Sequence, residues 1–125
     1  MGAMACRVLA MAVLAVAVMG QAKAPAGLAK ARQAYNAGQL DAAITAAQDV
    51  LKAPALAPAQ VSEAAVVLSR AYLDRYRLRS TPADLEGARQ ALERVSASAL
   101  PPASRVEFLI AQGLFLYSDG CSDGC

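Results

Sequence analysis

The chain has 125 residues, 57% of them hydrophobic, with no His, no Trp and only two Phe, so one small domain must build its core from Ala, Leu and Val. Its formal charge of +2 is too small a surplus of cations to hold a phosphate backbone, and aromatic platforms for single strands are missing. The absence of His removes the commonest general base and metal ligand, and no Gly-rich phosphate loop or partnered nucleophile is present. The composition argues against a nucleic-acid binder and against an enzyme, and it implies no cofactor and no metal.

Met1 to Arg7 carries one basic residue, Val8 to Gly20 is a thirteen-residue apolar run, and Ala22-Lys23-Ala24 supplies small residues at a cleavage spacing. This pattern predicts a secretory signal peptide over 1–24, cut between 22 and 26, since Pro25 hinders cleavage directly after Ala24. A membrane span needs about 20 apolar residues, so an uncleaved anchor is the minority reading and no span is expected once the signal is removed. Cys6 precedes the run and cannot be the lipid-bearing cysteine of a lipoprotein. Loss of Arg7 and Lys23 leaves ten basic and ten acidic residues, a neutral mature chain in the periplasm or medium.

Beyond Pro25 the spacing predicts helices. Leu28, Ala31 and Ala34/Tyr35 form one apolar stripe and Leu40, Ala43/Ile44, Ala47 and Val50/Leu51 a second, hinged at Gly38 and stopped by Pro54. Val61, Ala65, Leu68, Tyr72 and Tyr76 continue the pattern. Thr81-Pro82-Ala83-Asp84 then reads as an N-cap, a first-turn proline and a capping-box carboxylate ahead of Leu85, Ala88, Leu92 and Val95. Pro101-Pro102 ends that helix, and Ser104-Arg105-Val106-Glu107 reads as a further capping box opening a helix to Gly120. The units are 25–54, 59–100 and an incomplete 104–120, followed by a Cys-containing tail, 121–125.

This arrangement resembles the tetratricopeptide repeat family. Leu68-Ser69-x-x-Tyr72 matches the Leu-Gly-x-x-Tyr core of that family's first helix with Ser for Gly, and Gly113 with Tyr117 matches it again. Ala43, Ala47 and Val50, then Ala88, Leu92 and Val95, match the second-helix stripe. The expected fold is all-α, a helix-turn-helix repeat forming a right-handed solenoid that is short and incomplete at its C-terminus. Ala31, Ser69 and Gly113 are expected where neighbouring helices approach most closely. The stretch from Tyr72 to Ala88 exceeds the regular unit, which predicts either an extended helix or a long loop over YRLRSTP.

The resemblance implies a concave groove lined by first helices. Carried over, its sites are Leu28, Arg32, Tyr35 and Asn36, then Glu63, Val66, Arg70, Leu73 and Asp74, then Glu107, Ile110, Leu114, Tyr117 and Ser118. Of these, Arg32, Tyr35, Arg70 and Tyr117 are expected on one surface. Ala29, Val67 and Ala111 fall where a clamp for C-terminal carboxylates needs polar groups, so chaperone tails are not the expected ligand. The implied partner is a peptide or protein in the cell envelope.

Three features leave alternatives. The cluster Arg70, Arg75, Arg77 and Arg79 reads as a solvated helix end, favoured by the helix dipole, or as a receiver of an acidic group. Cys121 and Cys125 read as an exposed tail or as a disulfide. The helix from Val106 to Tyr117 is apolar nearly all round. With Val106, Ile110, Gly113 and Tyr117 turned to the preceding hairpin, Phe108, Leu109, Phe115 and Leu116 need another cover. That predicts a fragment of a longer repeat protein or a homo-oligomer through 106–117.

Overall fold

A computed structural model describes residues 25–122, and its side chains to residue 121; the signal-peptide reading and Cys125 lie outside the described residues. Five helices follow in order, α1 (Ala26–Asn36), α2 (Leu40–Lys52), α3 (Pro58–Arg79), α4 (Pro82–Glu93) and α5 (Pro102–Ser122), with one 3-10 turn at Ala97–Ala99 and no strand among the described residues. Each helix packs on the next as far as α4; α5 then lies against both α3 and α4, and α1 touches α3. The chain is an all-α stack of helical hairpins, as the spacing of apolar residues predicts.

The hinge at Gly38 is a helix end of defined geometry. Gly38 has φ +74°, its N–H donates to the Tyr35 carbonyl, and the Gln39 N–H donates to the Ala34 carbonyl, both at 2.9 Å. This pair of bonds is the Schellman closure, and it needs the left-handed conformation that glycine adopts without a Cβ penalty. Two residues later α2 returns along α1.

Alanine sets the spacing of the stack. Ala31, Ala43, Ala47, Ala64, Ala71, Ala88 and Ala111 are fully buried, and between them Leu28, Ile44, Val50, Val67 and Leu68 fill the first core. Small side chains let helix axes approach, so few large residues suffice to close the gaps. A second cluster joins Leu73 and Leu85 to Ala88 and Ala111, and a third joins Val66 to Leu100 and Phe108. Ser69, fully buried, returns its hydroxyl to the Val66 carbonyl of its own helix at 2.8 Å, which satisfies it at a position too crowded for a large residue.

Of the two readings of YRLRSTP, the extended helix is the one observed: α3 continues to Arg79, and the link to α4 is only Ser80 and Thr81. Other expectations require correction. Thr81 stands at the N-cap of α4 without a side-chain cap bond: the Asp84 N–H donates to the Thr81 carbonyl at 2.9 Å, and the Asp84 carboxylate is engaged by Arg75. α5 begins at Pro102 rather than at Ser104. Ser104 is buried within its first turn and accepts a hydrogen bond from Arg32. Gly113, expected at a close approach, is exposed, with open space where a Cβ would stand.

The phase of α5 also differs from expectation: Leu109 and Leu116 lie outward as expected, but Phe108 turns inward in place of Val106, Ile110 and Tyr117. Ser104, Phe108 and Ala111 are its buried positions, and Leu114 and Phe115 are half-buried. Val106, Leu109, Ile110, Leu116 and Tyr117 face outward, from 46% exposed at Ile110 to 73% at Tyr117.

Candidate functional site

The first helices α1, α3 and α5 lie side by side and carry polar side chains that meet across long sequence separations. Arg32 on α1 is the hub at one end. Its Nη2 is 3.4 Å from Glu63 Oε2 on α3, and its Nη1 is 3.3 Å from Glu107 Oε2 on α5. Nη2 also donates to Ser104 Oγ at 3.3 Å. One guanidinium thus ties three helices, its planar fork supplying separate donors for each partner.

Farther along the same helices, the Tyr35 hydroxyl donates to Asp74 Oδ2 at 2.8 Å, and the Arg70 guanidinium lies 5.5 Å from the centre of the Tyr35 ring. That distance is within cation–π range. Burial, and next the bond to the Asp74 carboxylate, push the Tyr35 hydroxyl up to about 12, while the Arg70 charge opposes them. Both leading causes disfavour a second anion beside Asp74. Arg70 makes no salt bridge among the described residues, and its Nε is buried without a hydrogen-bond partner. An open depression of about 630 Å³ begins beside this group, lined by Tyr35, Asn36, Gly38, Leu40, Asp74, Arg77 and Leu78.

Of the groove residues expected from the sequence, Arg32 and Glu63 form one constellation, and Tyr35, Asn36, Arg70 and Asp74 form another on the same pair of helices. Tyr117 joins neither. It stands 73% exposed on the outward face of α5, because the phase of that helix turns Phe108 and Ala111, not Tyr117, toward α3 and α4. Leu28, Val66 and Leu73 are core residues rather than lining, and Leu114 is half-buried beside Leu73. Cys121 is exposed on the last turn of α5.

The arginine cluster divides: Arg77 and Arg79 stand exposed at the end of α3, as a solvated helix end would, whereas Arg75 is taken up between hairpins. Arg75, with its side chain 21% exposed, spans two helices. It contacts Asp84 on α4 through Nε and Nη2, the latter at 2.5 Å, and reaches Asp41 on α2 at 2.7 Å. Arg79 adds a second contact to Asp41 at 3.0 Å, and Arg77 lies 3.6 Å from Asp74. The bonds that Arg75 and Arg79 donate hold the Asp41 carboxyl below its ordinary range, and those that Asp84 and Asp41 accept raise the affinity of Arg75 for its proton. Sequence spacing gives no hint of this pairing, since Asp41 and Arg75 meet only because two hairpins stack.

No three His, Cys, Asp or Glu side chains gather to hold a metal among the described residues, and no described helix is long and apolar enough to cross a membrane. No family model matches the chain, and neither a curated protein nor a solved structure matches it.

Proposed function

We propose that this chain is an exported, non-enzymatic helical-repeat scaffold of tetratricopeptide type, whose α1–α3 face receives a peptide or protein in the cell envelope. One observation carries the reading: the half-buried Arg70 is held over the Tyr35 ring and makes no salt bridge among the described residues. The accessible part of its guanidinium has donors to offer a ligand carbonyl or carboxylate. Tyr35 is fixed by Asp74, so the pair is ordered before a ligand arrives. Tyr and Arg are also the side chains most enriched at binding hot spots. Export rests on the Val8–Gly20 run and the Ala22-Lys23-Ala24 triplet.

The test is capture from a periplasmic fraction with the wild-type chain and with the Tyr35→Ala/Arg70→Ala double variant. The expected result is a distinct partner retained by the wild type and weakened at least about tenfold by the double variant, with folding intact by circular dichroism. Equal retention by both, or capture of nothing beyond the chain itself, would contradict the proposal.

A further inference from the structure

The outward face of α5 has an internal standard of comparison in α3. A shift of 44 positions takes Ser69 to Gly113, and with it Ser62, Val66 and Leu73 to Val106, Ile110 and Tyr117. The α3 residues of this set are all buried, and the α5 residues are all exposed. The same shift takes Ala65, fully buried, and Tyr72, packed against α4 at Gly87, to Leu109 and Leu116. All five large apolar side chains exposed on α5 therefore occupy register positions that on α3 are covered or packed by neighbouring helices.

We infer that a second copy of this chain covers this face, through an antiparallel pairing of α5 with α5 about Gln112. Three observations select that occupant. From Val106 to Ser118 the only charged residue is Glu107, and it is bound by Arg32, so two copies meet without like charges opposed. Isologous pairing needs such self-complementarity. Gly113 sits at the centre of the face with nothing within 4 Å of a Cβ position, which permits a close crossing.

The third observation is the placing of the flanking charges. Arg105 and Asp119 lie on one flank of α5, about 40° apart in projection and about 21 Å apart along the axis, with Gln112 midway. A two-fold axis through Gln112 sets Arg105 of each copy opposite Asp119 of the other. Arg105 is steadied for this by its Nε, which donates to the carbonyls of Ala97 and Leu100 at 3.1 Å.

The five side chains offer on the order of 500 Å², as large as the biggest patch on an ordinary monomer, and pairing removes on the order of 1,000 Å² in total, the lower edge of a specific interface. The expected dimer is therefore reversible in the micromolar range. The inference does not depend on the peptide-binding reading, which concerns α1 and α3.

Sedimentation velocity under reducing conditions at low salt, on the chain as isolated, tests it. The wild type should approach twice its own monomer mass as concentration rises through the micromolar range. Arg105→Asp and Asp119→Arg should each weaken the dimer about tenfold, and the double exchange should restore it to within about threefold. Leu116→Glu, at a position 68% exposed, should abolish the dimer while leaving the helical circular dichroism of the monomer unchanged. A monomer at all concentrations would overturn the proposal. So would open-ended oligomers, or a dimer that ignores Leu116→Glu and is not restored by the double exchange.

Discussion

α3 and α5 follow one pattern of apolar positions and differ in what surrounds them. α3 lies between α1 and α5 with α2 and α4 over it, and Ala64, Ala65, Val66, Ala71 and Leu73 are fully buried. α5 has neighbours on one side, and residues at the matching register stand in solvent. An apolar stripe becomes core only when another element is there to meet it, so register alone does not tell a core helix from an interface helix.

The largest effect that separates the two helices should come from one matched pair of substitutions. Leu73→Ala on α3 removes a fully buried side chain and should cost about 2 to 5 kcal/mol, whereas Tyr117→Ala at the same register on α5 should stay within about 0.5 kcal/mol in dilute solution. Urea unfolding of both variants below the dimerisation range reads the difference directly. Comparable losses would mean that α5 is covered within the monomer.

Next in size is Asp84→Ala, which strips the carboxylate from Arg75 at a site where the aspartate side chain is 5% exposed and the arginine 21%. A loss of about 2 to 3 kcal/mol is expected, because a largely buried cation is left with only the exposed Asp41. On the exposed side of α5, Gln112 makes no such pair among the described residues, so Gln112→Ala should leave the melting temperature nearly unchanged.

Two glycines sharpen the contrast on a smaller scale. A Cβ at Gly87 would stand 2.8 Å from the Tyr72 ring, whose hydroxyl is held by Gln48 at 2.7 Å. Gly87→Ala should therefore destabilise by about 1 to 2 kcal/mol despite its better helix propensity. At Gly113 a Cβ meets open space, so Gly113→Ala should stabilise the monomer by up to about 1 kcal/mol. Opposite signs in thermal melts are the expected outcome.

The smallest effect is one of pH. The Tyr35 hydroxyl is raised to about 12 from 10.0, so the unfolded chain releases this proton first. Its contribution is complete below pH 10 and is lost as pH rises toward 12. Tyr35→Phe should flatten the fall in melting temperature over that window; a variant as alkali-sensitive as the wild type would remove the basis for the Tyr35–Asp74 bond.

Much of the stack is legible in the sequence because its signals are local. Gly38 marks the first hinge, Pro82 opens a helix, and the stripe from Val61 to Tyr76 has one clear phase. α5 is different. In FLIAQGLFLY apolar residues occupy almost every direction, so periodicity has no unique solution, and the buried side was settled by Ser104, Phe108 and Ala111 meeting α3 and α4. The candidate site divides in the same way. Arg32, Tyr35, Glu63, Arg70, Asp74 and Glu107 all stand at positions carried over from first helices, yet which of them pair, and the part that Ser104 plays, is decided only by packing. The YRLR segment reads as a basic cluster until Asp41 and Asp84 arrive from the helices on either side.

The central claim is that α3 is core within one chain while α5 is core only between two. Hydrogen–deuterium exchange across a concentration series, from well below to well above the micromolar range, tests it most directly. Amides of α5 from Val106 to Tyr117 should gain protection as concentration rises, while those of α3 should already be protected and stay constant. Protection of α5 that is independent of concentration, or that rises in step with α3, would contradict the account.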